Sequence, residues 1–398
     1  MSGKVIILMM DSFGVGGAPD ADRFGDQGAN TFAHIVQTMH GLNVPHLQAL
    51  GLETLAKEAG GVDFDLNIFK KSPLNIGHKF GHACEISKGK DTTSGHWEMA
   101  GTPVLTEWGY FHPDYPSFPA ELVEKICHQG KVSGILGNKA ASGTAILDEL
   151  GEEHIRTLRP IVYTSADSVL QIACHETYFG LDRLYALCET AFEAVKPYHI
   201  ARVIARPFVG EQKGQFVRTK NRHDYSVNPP EITILNKAST AGHQVIAVGK
   251  IADIYARSGI DQAYKASGLP ELWDVTLNAV KNAAAGSLIF TNFVDFDMVY
   301  GHRRDVKGYA QGLEYFDSRL PELVALLDDD DIVFITADHG CDPTYRGTDH
   351  TREQVPVILF GRRIMTENIG QRTTYADIAQ TIAEFYNIKP MKYGKSFL

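Results

Sequence analysis

The amino-acid sequence predicts an α/β protein whose core is a doubly wound sheet, because short apolar runs alternate with segments of helical periodicity. Each run is continuously apolar, which is typical of strands buried on both faces of a parallel sheet. The runs cover residues 5–9, 245–248, 288–293, 332–335 and 357–360. Helices are predicted over residues 270–284, over 305–327 with an interruption at Pro321, and after the possible N-cap residues Thr373 and Thr374.

The middle of the chain has its own set of predicted elements. Strands are predicted at residues 161–163, 169–174 and 202–205, and a helix at 181–195. The polar, basic stretch KGQFVRTKNRHDYSVNPP that follows resembles a linker. We therefore expect a discontinuous core, residues 1–102 and 224–398, that carries an inserted α+β domain at residues 103–223.

Composition excludes several classes of function. The 398 residues carry a net charge of -10 with interspersed signs, which argues against binding to nucleic acid or to an anionic membrane. No apolar run approaches the roughly 20 residues that span a bilayer. Five cysteines without a CxxC pattern favour a reducing, cytoplasmic location and packing roles for the thiols. The sequence leaves the oligomeric state open.

Acidic residues and histidines follow the predicted strands, where ligands of doubly wound sheets bind. Taken singly, each is more often a turn, cap or surface residue, so the prediction depends on their occurring together at one edge. Carboxylates mixed with imidazoles suit two divalent ions such as manganese or zinc. The candidate ligands are Asp11, Asp297, His302, Asp338, His339 and His350.

The segment KDTTSGHWE offers three neighbouring hydroxyls, those of Thr92, Thr93 and Ser94. They could cap the start of a helix. One of them could instead be a nucleophile that a bound metal activates, with the helix N-terminus favouring the attached phosphate. Physical reasoning alone does not choose among the three.

Seven segments together resemble the alkaline phosphatase superfamily and, within it, the phosphopentomutase family. They are MMDSFG, KDTTSGHWE, NFVDFDMVYGHRRD, ITADHGCDP, GTDHTRE, RPIVYTSADSVLQIACHE and RVIARPFVG, and the resemblance covers essentially the whole chain. It implies an alkaline-phosphatase-like core with an inserted cap domain. A cap that closes on the core would exclude water, and the sequence leaves the extent of its movement open. The resemblance also implies an isomerase that interconverts (deoxy)ribose 1-phosphate and (deoxy)ribose 5-phosphate through a phosphothreonine and a sugar bisphosphate.

The resemblance assigns roles to individual residues. It implies that Asp297, His302 and His350 bind one Mn²⁺, and that Asp11, Asp338 and His339 bind the other. The nucleophile would be Thr92, which directly follows Lys-Asp, and a sugar bisphosphate would prime it. Ser165 and Asp167 would hold the sugar hydroxyls of a small pentose phosphate, whereas Arg202 and Lys250 would bind its distant phosphate.

Three alternatives are weighed against this reading. A phosphatase, phosphodiesterase or related phosphomutase would keep the metal site and differ in the reaction. A sulfatase would need the pattern C/S-x-P-x-R, but CDPTYR has Tyr345 in place of the arginine. A binding protein without turnover would show a broken ligand set, and the candidate set is complete. The sequence does not decide between manganese and zinc, or between ribose and deoxyribose.

Overall fold

The computed structural model describes residues 3–66, 74–165 and 168–398. It divides into two compact units. The core unit comprises Met1–Thr106 and Asn228–Leu398, and the inserted unit comprises Glu107–Val227. The observed breaks follow Thr106 and Val227, whereas the predicted breaks follow residues 102 and 223.

The described residues form fifteen strands. In chain order they are β1 (Val5–Met9), β2 (Gly16–Gly17), β3 (Gly77–Ala83), β4 (Leu136–Ala140), β5 (Ile161–Thr164), β6 (Val169–His175), β7 (Arg202–Val209), β8 (Val217–Arg218), β9 (His223–Ser226), β10 (Val245–Val248), β11 (Gln262–Tyr264), β12 (Leu288–Asn292), β13 (Ile332–Thr336), β14 (Glu353–Gly361) and β15 (Glu367–Arg372).

The same residues form twelve α-helices and four short 3₁₀ or π segments. The helices are α1 (Thr31–Met39), α2 (Pro45–Ala49), α3 (Leu52–Gly60), α4 (Thr92–Met99), α5 (Ala120–Gly130), α6 (Gly143–Thr157), α7 (Leu181–Val195), α8 (Ile234–Thr240), α9 (Ile251–Ile254), α10 (Leu269–Asn282), α11 (Val306–Leu326) and α12 (Ala376–Phe385). Among these described helices, none combines the length and the apolar character needed to cross a membrane.

The sheet of the core unit has the strand order β11-β10-β12-β1-β13-β14-β3-β15, with β2 paired to β14. The five strands from β11 to β13 run parallel, and β1 lies between β12 and β13. All five residues of β1 are buried, as the apolar run predicts. One expectation is wrong: the run at residues 357–360 belongs to β14, which is antiparallel to both β13 and β3.

Helices α10 and α11 pack on this sheet through an aromatic cluster. The ring of Trp273 lies 5.1 Å from that of Phe293 and 5.0 Å from that of Phe316. The predicted interruption at Pro321 is wrong, because α11 continues through it. Proline removes one backbone hydrogen bond from a helix. Leu320 and Leu323, both fully buried, hold the helix against the core on either side of that position.

The inserted unit has a mixed sheet of order β4-β5-β6-β7-β8, with β9 also paired to β7. Alternate residues of β6 pack on opposite faces: Ile172 lies in the cluster with α7, whereas Ala173 lies in the cluster with Phe208. The linker prediction is wrong for β8 and β9, which pair antiparallel with β7. These strands carry few apolar side chains, so the sequence pattern did not reveal them, and polar residues are common on sheet edges.

Candidate metal centre and nucleophile

The ends of four core strands meet at one edge of the sheet. Residue pairing puts the last residues of β1, β12 and β13 side by side, so the segments that follow them start at the same level. These segments carry Asp11, Asp297, Asp338 and His339. Because β14 is antiparallel, its first residues lie at this edge too, and His350 comes three residues before its start. The antiparallel strand therefore explains why a ligand candidate precedes it.

A π-helical turn, Phe296–Gly301, positions Asp297 and His302. The amide of His302 donates to the carbonyl of Asp297 at 3.0 Å, which closes the wide turn. Such turns occur often at functional sites. The next loop is held by Arg304, whose guanidinium donates to the carbonyls of Gly301, Asp342, Gly347 and Asp349. This arginine therefore fixes the segment that leads to His350.

The structure brings the six candidate ligands together as two adjoining groups. In one, His339 Nε2 lies 3.3 Å from Asp338 Oδ2 and 3.7 Å from Asp11 Oδ1. The other group contains the remaining three candidates. Its distances are 3.4 Å from His302 Nε2 to Asp297 Oδ2, 3.3 Å from His350 Nε2 to Asp297 Oδ1, and 3.1 Å between His302 Nε2 and His350 Nε2. Stacked rings of His339 and His350, 3.9 Å apart, join the groups.

Three carboxylate oxygens at this edge are buried without a hydrogen-bond partner among the described residues: Asp11 Oδ1, Asp297 Oδ1 and Asp338 Oδ2. A buried, unpartnered carboxylate oxygen is costly unless a cation binds it. One oxygen from each of three carboxylates, together with three imidazoles, forms a donor set that divalent ions accept. The residues present thus fit bound metal ions.

Burial and neighbouring charges shift the pKa values of these groups. Burial, followed by the charges of Asp338 and Asp297, raises the pKa of Asp11 well above its usual value. Burial lowers the pKa of His339 to about 4, which keeps its ring neutral, as metal binding requires. Burial alone would also lower the pKa of His302, but its hydrogen bond and charge interaction with Asp297 raise it. A cation between those two side chains would replace that proton.

Helix α4 begins at Thr92, whose Oγ lies 3.3 Å from Nε2 of the candidate ligand His339. The other two hydroxyls of the segment are placed differently, since Ser94 Oγ donates to Asp91 and Thr93 is buried. Asp91 Oδ1 also accepts from the amides of Thr93 and Ser94. The expected phosphate binding by the helix N-terminus therefore cannot use these two amides.

Close packing of α4 on the end of β13 depends on Gly95. A Cβ atom at this position would lie 2.0 Å from the carbonyl oxygen of Asp338, which is backbone and cannot move aside cheaply. The missing side chain lets the first turn of the helix approach the strand. This approach sets the distance between Thr92 and the candidate ligands.

The predicted substrate residues lie in both units. Lys250 follows β10 in the core unit and is close enough to Asp11 for its charge to counter the rise in that residue's pKa. Ser165, partly buried, follows β5 in the inserted unit. Arg202 begins β7 in the same unit, with Nη1 3.9 Å from Asp224 Oδ2. Asp167 lies outside the described residues.

Two residues at the site received no role from the sequence. Cys341, predicted to be a packing residue, offers a sulfur within 4.8 Å of ligand atoms of Asp297 and His302. Its position in the TADHGC segment, next to the candidate ligands Asp338 and His339, could have indicated a place at the site. Asn292 ends β12 and donates to Asp11 Oδ2 at 2.8 Å. A polar residue at the end of a buried apolar run was the signal in that case.

The fold and the site define a metal-dependent enzyme with an α/β core. The metalloenzyme superfamily matches residues 3–390 of the chain. The chain is 61% identical to a phosphopentomutase of Elusimicrobium minutum over 395 residues, which are 99% of this chain and 100% of that protein. It is 56% identical to a phosphopentomutase of Aeromonas hydrophila over 403 residues, again 99% and 100% of the two chains.

The chain belongs to the phosphopentomutase family. This confirms the resemblance, the α/β fold class and the prediction of an enzyme. Matches among solved structures include the PH0037 protein of Pyrococcus horikoshii, with a TM-score of 0.49 and 12% identity over 99% of this chain and 100% of that one. Another is a phosphoglycerate mutase of Leishmania mexicana, with a TM-score of 0.47 and 12% identity over 100% and 97%. The family assignment depends on the sequence matches alone.

Proposed function

We propose that the chain interconverts the 1-phosphates and 5-phosphates of ribose or deoxyribose by passing the phosphoryl group through Thr92. One observation carries this proposal. The hydroxyl of Thr92 lies 3.3 Å from His339 Nε2, and that nitrogen lies 3.3 Å from Asp338 Oδ2, one of three buried carboxylate oxygens that have no hydrogen-bond partner among the described residues. A nucleophile next to a cation-binding pocket is the arrangement that metal-assisted phosphoryl transfer requires.

The candidate ligands would hold two divalent ions, and manganese suits this mixture of carboxylates and imidazoles. Asp11, Asp338 and His339 would hold one ion, and the remaining three candidates, Asp297, His302 and His350, the other. When bound, the two ions supply positive charge to the oxygens of an in-line transfer and lower the pKa of a coordinated hydroxyl. Because the protein's net charge is -10, a phosphate substrate needs local positive charge, which the ions would supply together with placed Arg and Lys side chains.

The role of Thr92 is to carry the phosphoryl group. Phosphorylated Thr92 would donate it to a hydroxyl oxygen of a bound sugar monophosphate, so that a phosphorus–oxygen bond to the sugar forms as the bond to Thr92 Oγ breaks. The product is a sugar bisphosphate. After it turns round, its other phosphoryl group passes back to Thr92 Oγ and the isomeric monophosphate is left. The same bisphosphate would phosphorylate an unmodified Thr92 and so activate the enzyme.

Four residues would bind the sugar and its distant phosphate. Ser165 and Asp167 suit hydrogen bonding to sugar hydroxyls. Arg202 can form a two-pronged contact with a phosphate, and Lys250 can add a compact charge. A small pentose phosphate is thus the proposed substrate.

A cytoplasmic location is proposed as well, because all five cysteines are free thiols.

The experiment that tests the function is a coupled assay with Mn²⁺ and a catalytic amount of sugar bisphosphate. It follows ribose 1-phosphate, ribose 5-phosphate and free phosphate in the same reaction. We expect interconversion with almost no free phosphate. Steady release of phosphate without isomerisation would instead assign the chain to the phosphatases.

Replacement of the nucleophile tests its identity. Thr92→Ala should lower the transfer rate by at least about 10⁴-fold, as expected for loss of a nucleophile. Its metal content, measured by inductively coupled plasma mass spectrometry, should stay the same. The neighbouring variant Thr93→Val serves as the control and should keep most of the rate. Normal transfer in Thr92→Ala would contradict the assignment.

A further inference from the structure

His96 is a fully buried histidine in the first turns of α4, and the proposed function gives it no task. Its ring stacks on that of Phe290, with the centroids 5.9 Å apart and an interplanar angle of 22°. The edge of the Tyr255 ring lies against it at 6.4 Å. Packing on two sides fixes the plane of the imidazole, so both ring nitrogens have defined neighbours.

The two nitrogens of His96 face different parts of the site. Nδ1 donates to the carbonyl of Thr92 at 2.8 Å and lies 3.0 Å from Asp338 Oδ2. The contact with the Thr92 carbonyl has hydrogen-bond geometry, whereas the contact with Asp338 Oδ2 is a close charge interaction. Nε2 lies 3.4 Å from Asn292 Nδ2. Since Nδ1 carries the hydrogen, Nε2 accepts from this amide.

Asn292 connects His96 to the other carboxylate of the same group. Its Nδ2 donates to Asp11 Oδ2 at 2.8 Å, so one amide nitrogen serves both Asp11 and His96. A rotated amide would turn its oxygen towards the Asp11 carboxylate, and the two acceptors would repel each other. The orientation with the nitrogen towards Asp11 is therefore fixed by its neighbours.

These contacts decide which oxygens remain available for a cation. Asn292 donates to Asp11 Oδ2, and Asp11 Oδ1 accepts no hydrogen bond from the part of the chain that the structure describes. The amides of Ser12 and His339 donate to Asp338 Oδ1, whereas Asp338 Oδ2 accepts no aligned hydrogen bond from the described residues and lies 3.0 Å from His96 Nδ1. Each carboxylate thus has one oxygen that accepts hydrogen bonds and one oxygen that accepts none from the described residues. Groups that orient ligating side chains in this way set the affinity of metal sites.

We infer that Asn292 and His96 are positioning residues. Asn292 orients the side chain of Asp11, and His96 holds the backbone of Thr92, so that both keep a fixed position beside Asp338. The inference builds on the proposed function, since it takes Asp11 and Asp338 as ligands and Thr92 as nucleophile. Asn292 sets the rotation of the Asp11 carboxylate. His96 contacts the carbonyl of Thr92 through Nδ1 and the side-chain amide of Asn292 through Nε2. Asp11 and Thr92 therefore keep a fixed separation.

The first test measures Mn²⁺ affinity by titration calorimetry on the metal-free full chain. Asn292→Leu should weaken one of the two Mn²⁺ sites by about 10- to 100-fold and leave the other unchanged. The control is Thr291→Val, the preceding residue of β12, which removes the buried 2.8 Å contact between Thr291 Oγ and Thr276 Oγ. That variant should lose stability but keep both affinities. Wild-type affinity at both sites in a folded Asn292→Leu would overturn the inference.

The second test separates positioning from packing at His96. His96→Phe keeps a ring to stack on Phe290 but lacks the donor to Thr92, so kcat should fall by about 10- to 100-fold with little change in KM. His96→Asn retains a donor near the position of Nδ1 and should recover part of kcat. Equal kcat values for the two variants would contradict a positioning role, and so would a wild-type kcat for His96→Phe.

Failure of the proposed function would look different. A wild-type chain that releases phosphate without isomerisation would refute the mutase proposal. The Mn²⁺ titration of Asn292→Leu would still decide the role of Asn292, because it does not use the reaction. If Asn292→Leu does not fold, as judged by circular dichroism, the pair of His96 variants still decides whether the link to Thr92 exists.

Discussion

The core unit and the inserted unit each bury a group of ionisable side chains, but the two groups differ in how completely they are hydrogen-bonded. In the inserted unit, His154 Nδ1 donates to the Arg159 carbonyl at 2.6 Å, and its Nε2 accepts from the amide of His175 at 2.9 Å. The ring of His175 in turn contacts the carbonyl of Gly210 at 3.1 Å. At the strand ends of the core unit, by contrast, three carboxylates each keep one unpartnered oxygen among the described residues.

This difference separates a structural role from a functional one. A buried polar group whose bonding capacity is used within the fold stabilises that fold, and its removal leaves neighbours unsatisfied. A buried carboxylate with an unused oxygen destabilises the metal-free protein and gains its partner only when a cation binds. Burial alone would not have distinguished His154 from Asp338, because both are fully buried.

The substitution Asp11→Asn is expected to have the largest effect, and it tests whether an unpartnered carboxylate oxygen marks a metal site. Loss of the carboxylate charge should weaken binding at one metal site by at least about 100-fold. In the metal-free protein the same change should raise the free energy of unfolding by about 1 kcal/mol or more, because it removes a carboxyl group whose ionisation is opposed by burial and by the charges of Asp338 and Asp297. Metal content and denaturant unfolding in EDTA measure the two effects.

A buried aspartate elsewhere in the core unit provides the control. Asp317 accepts from the amide of Leu47 at 2.7 Å and contacts His46 Nδ1 at 2.7 Å. Asp317→Asn should therefore destabilise the chain while both metal ions remain bound. If Asp11→Asn and Asp317→Asn behaved alike, unpartnered oxygens would not identify a metal site in this fold.

The matching change in the inserted unit is His154→Leu. It leaves the Arg159 carbonyl and the His175 amide without their partner, which should cost about 2–4 kcal/mol of stability. Metal content should not change, because none of the candidate ligands belongs to this unit. Unfolding curves and metal analysis of the purified variant check both statements. Loss of metal from a folded His154→Leu chain would show that the two regions are not independent.

Acidification should affect the inserted unit through the same histidine. Burial lowers the pKa of His154 to about 4, whereas an unfolded chain has a histidine pKa of about 6.5. Between these values the unfolded chain binds a proton that the folded chain does not, so stability falls as the pH falls through this window. The contribution is at most about 3 kcal/mol.

The measurement compares unfolding free energies of the metal-free wild type and His154→Leu from pH 7 to pH 4. Carboxylates of the core unit contribute equally to both chains, so the difference in slope isolates His154. We expect the variant to show the shallower pH dependence. Parallel curves would mean that His154 does not cause the loss of stability in acid.

The smallest expected effect concerns the substrate residue of the inserted unit. Arg202→Ala should raise KM by about 10-fold or more, as expected for the loss of a charge-assisted hydrogen bond, with metal content unchanged. Arg222 is the matched control, because its guanidinium forms two 2.7 Å bonds with Asp224 and has a structural partner. Arg222→Ala should leave KM nearly unchanged. If both variants raised KM equally, Arg202 would contribute only general positive charge and not a specific contact with the phosphate.

Much of the fold and the site could be predicted from the sequence, because the governing signals are local. Continuous apolar runs identified the buried strands, and Asp11, Asp297 and Asp338 follow them in the chain. The parts that failed depend on partners far away in sequence. The direction of β14 is set by its pairing with β3 and β13, and β9 forms because β7 offers it an edge.

The choice among the three hydroxyls shows the same limit. Thr92, Thr93 and Ser94 are chemically equivalent in the sequence, and only the start of α4 at Thr92 gives them different environments. The role of Asn292 could not be assigned for a related reason, since its contact with Asp11 joins positions 281 residues apart. Local patterns identify which segments carry chemistry, and tertiary contacts decide which atoms in them meet.

The central position of β1 has a consequence for synthesis of the chain. Its neighbours are β12 and β13, whose first residues, Leu288 and Ile332, pair with Val5. β1 therefore cannot pair with either neighbour until the chain has been synthesised as far as Leu288 and beyond. The sheet of the inserted unit lies between Leu136 and Ser226 and can form much sooner. We expect the metal site to be among the last features to form, so metal binding would report that the core is complete.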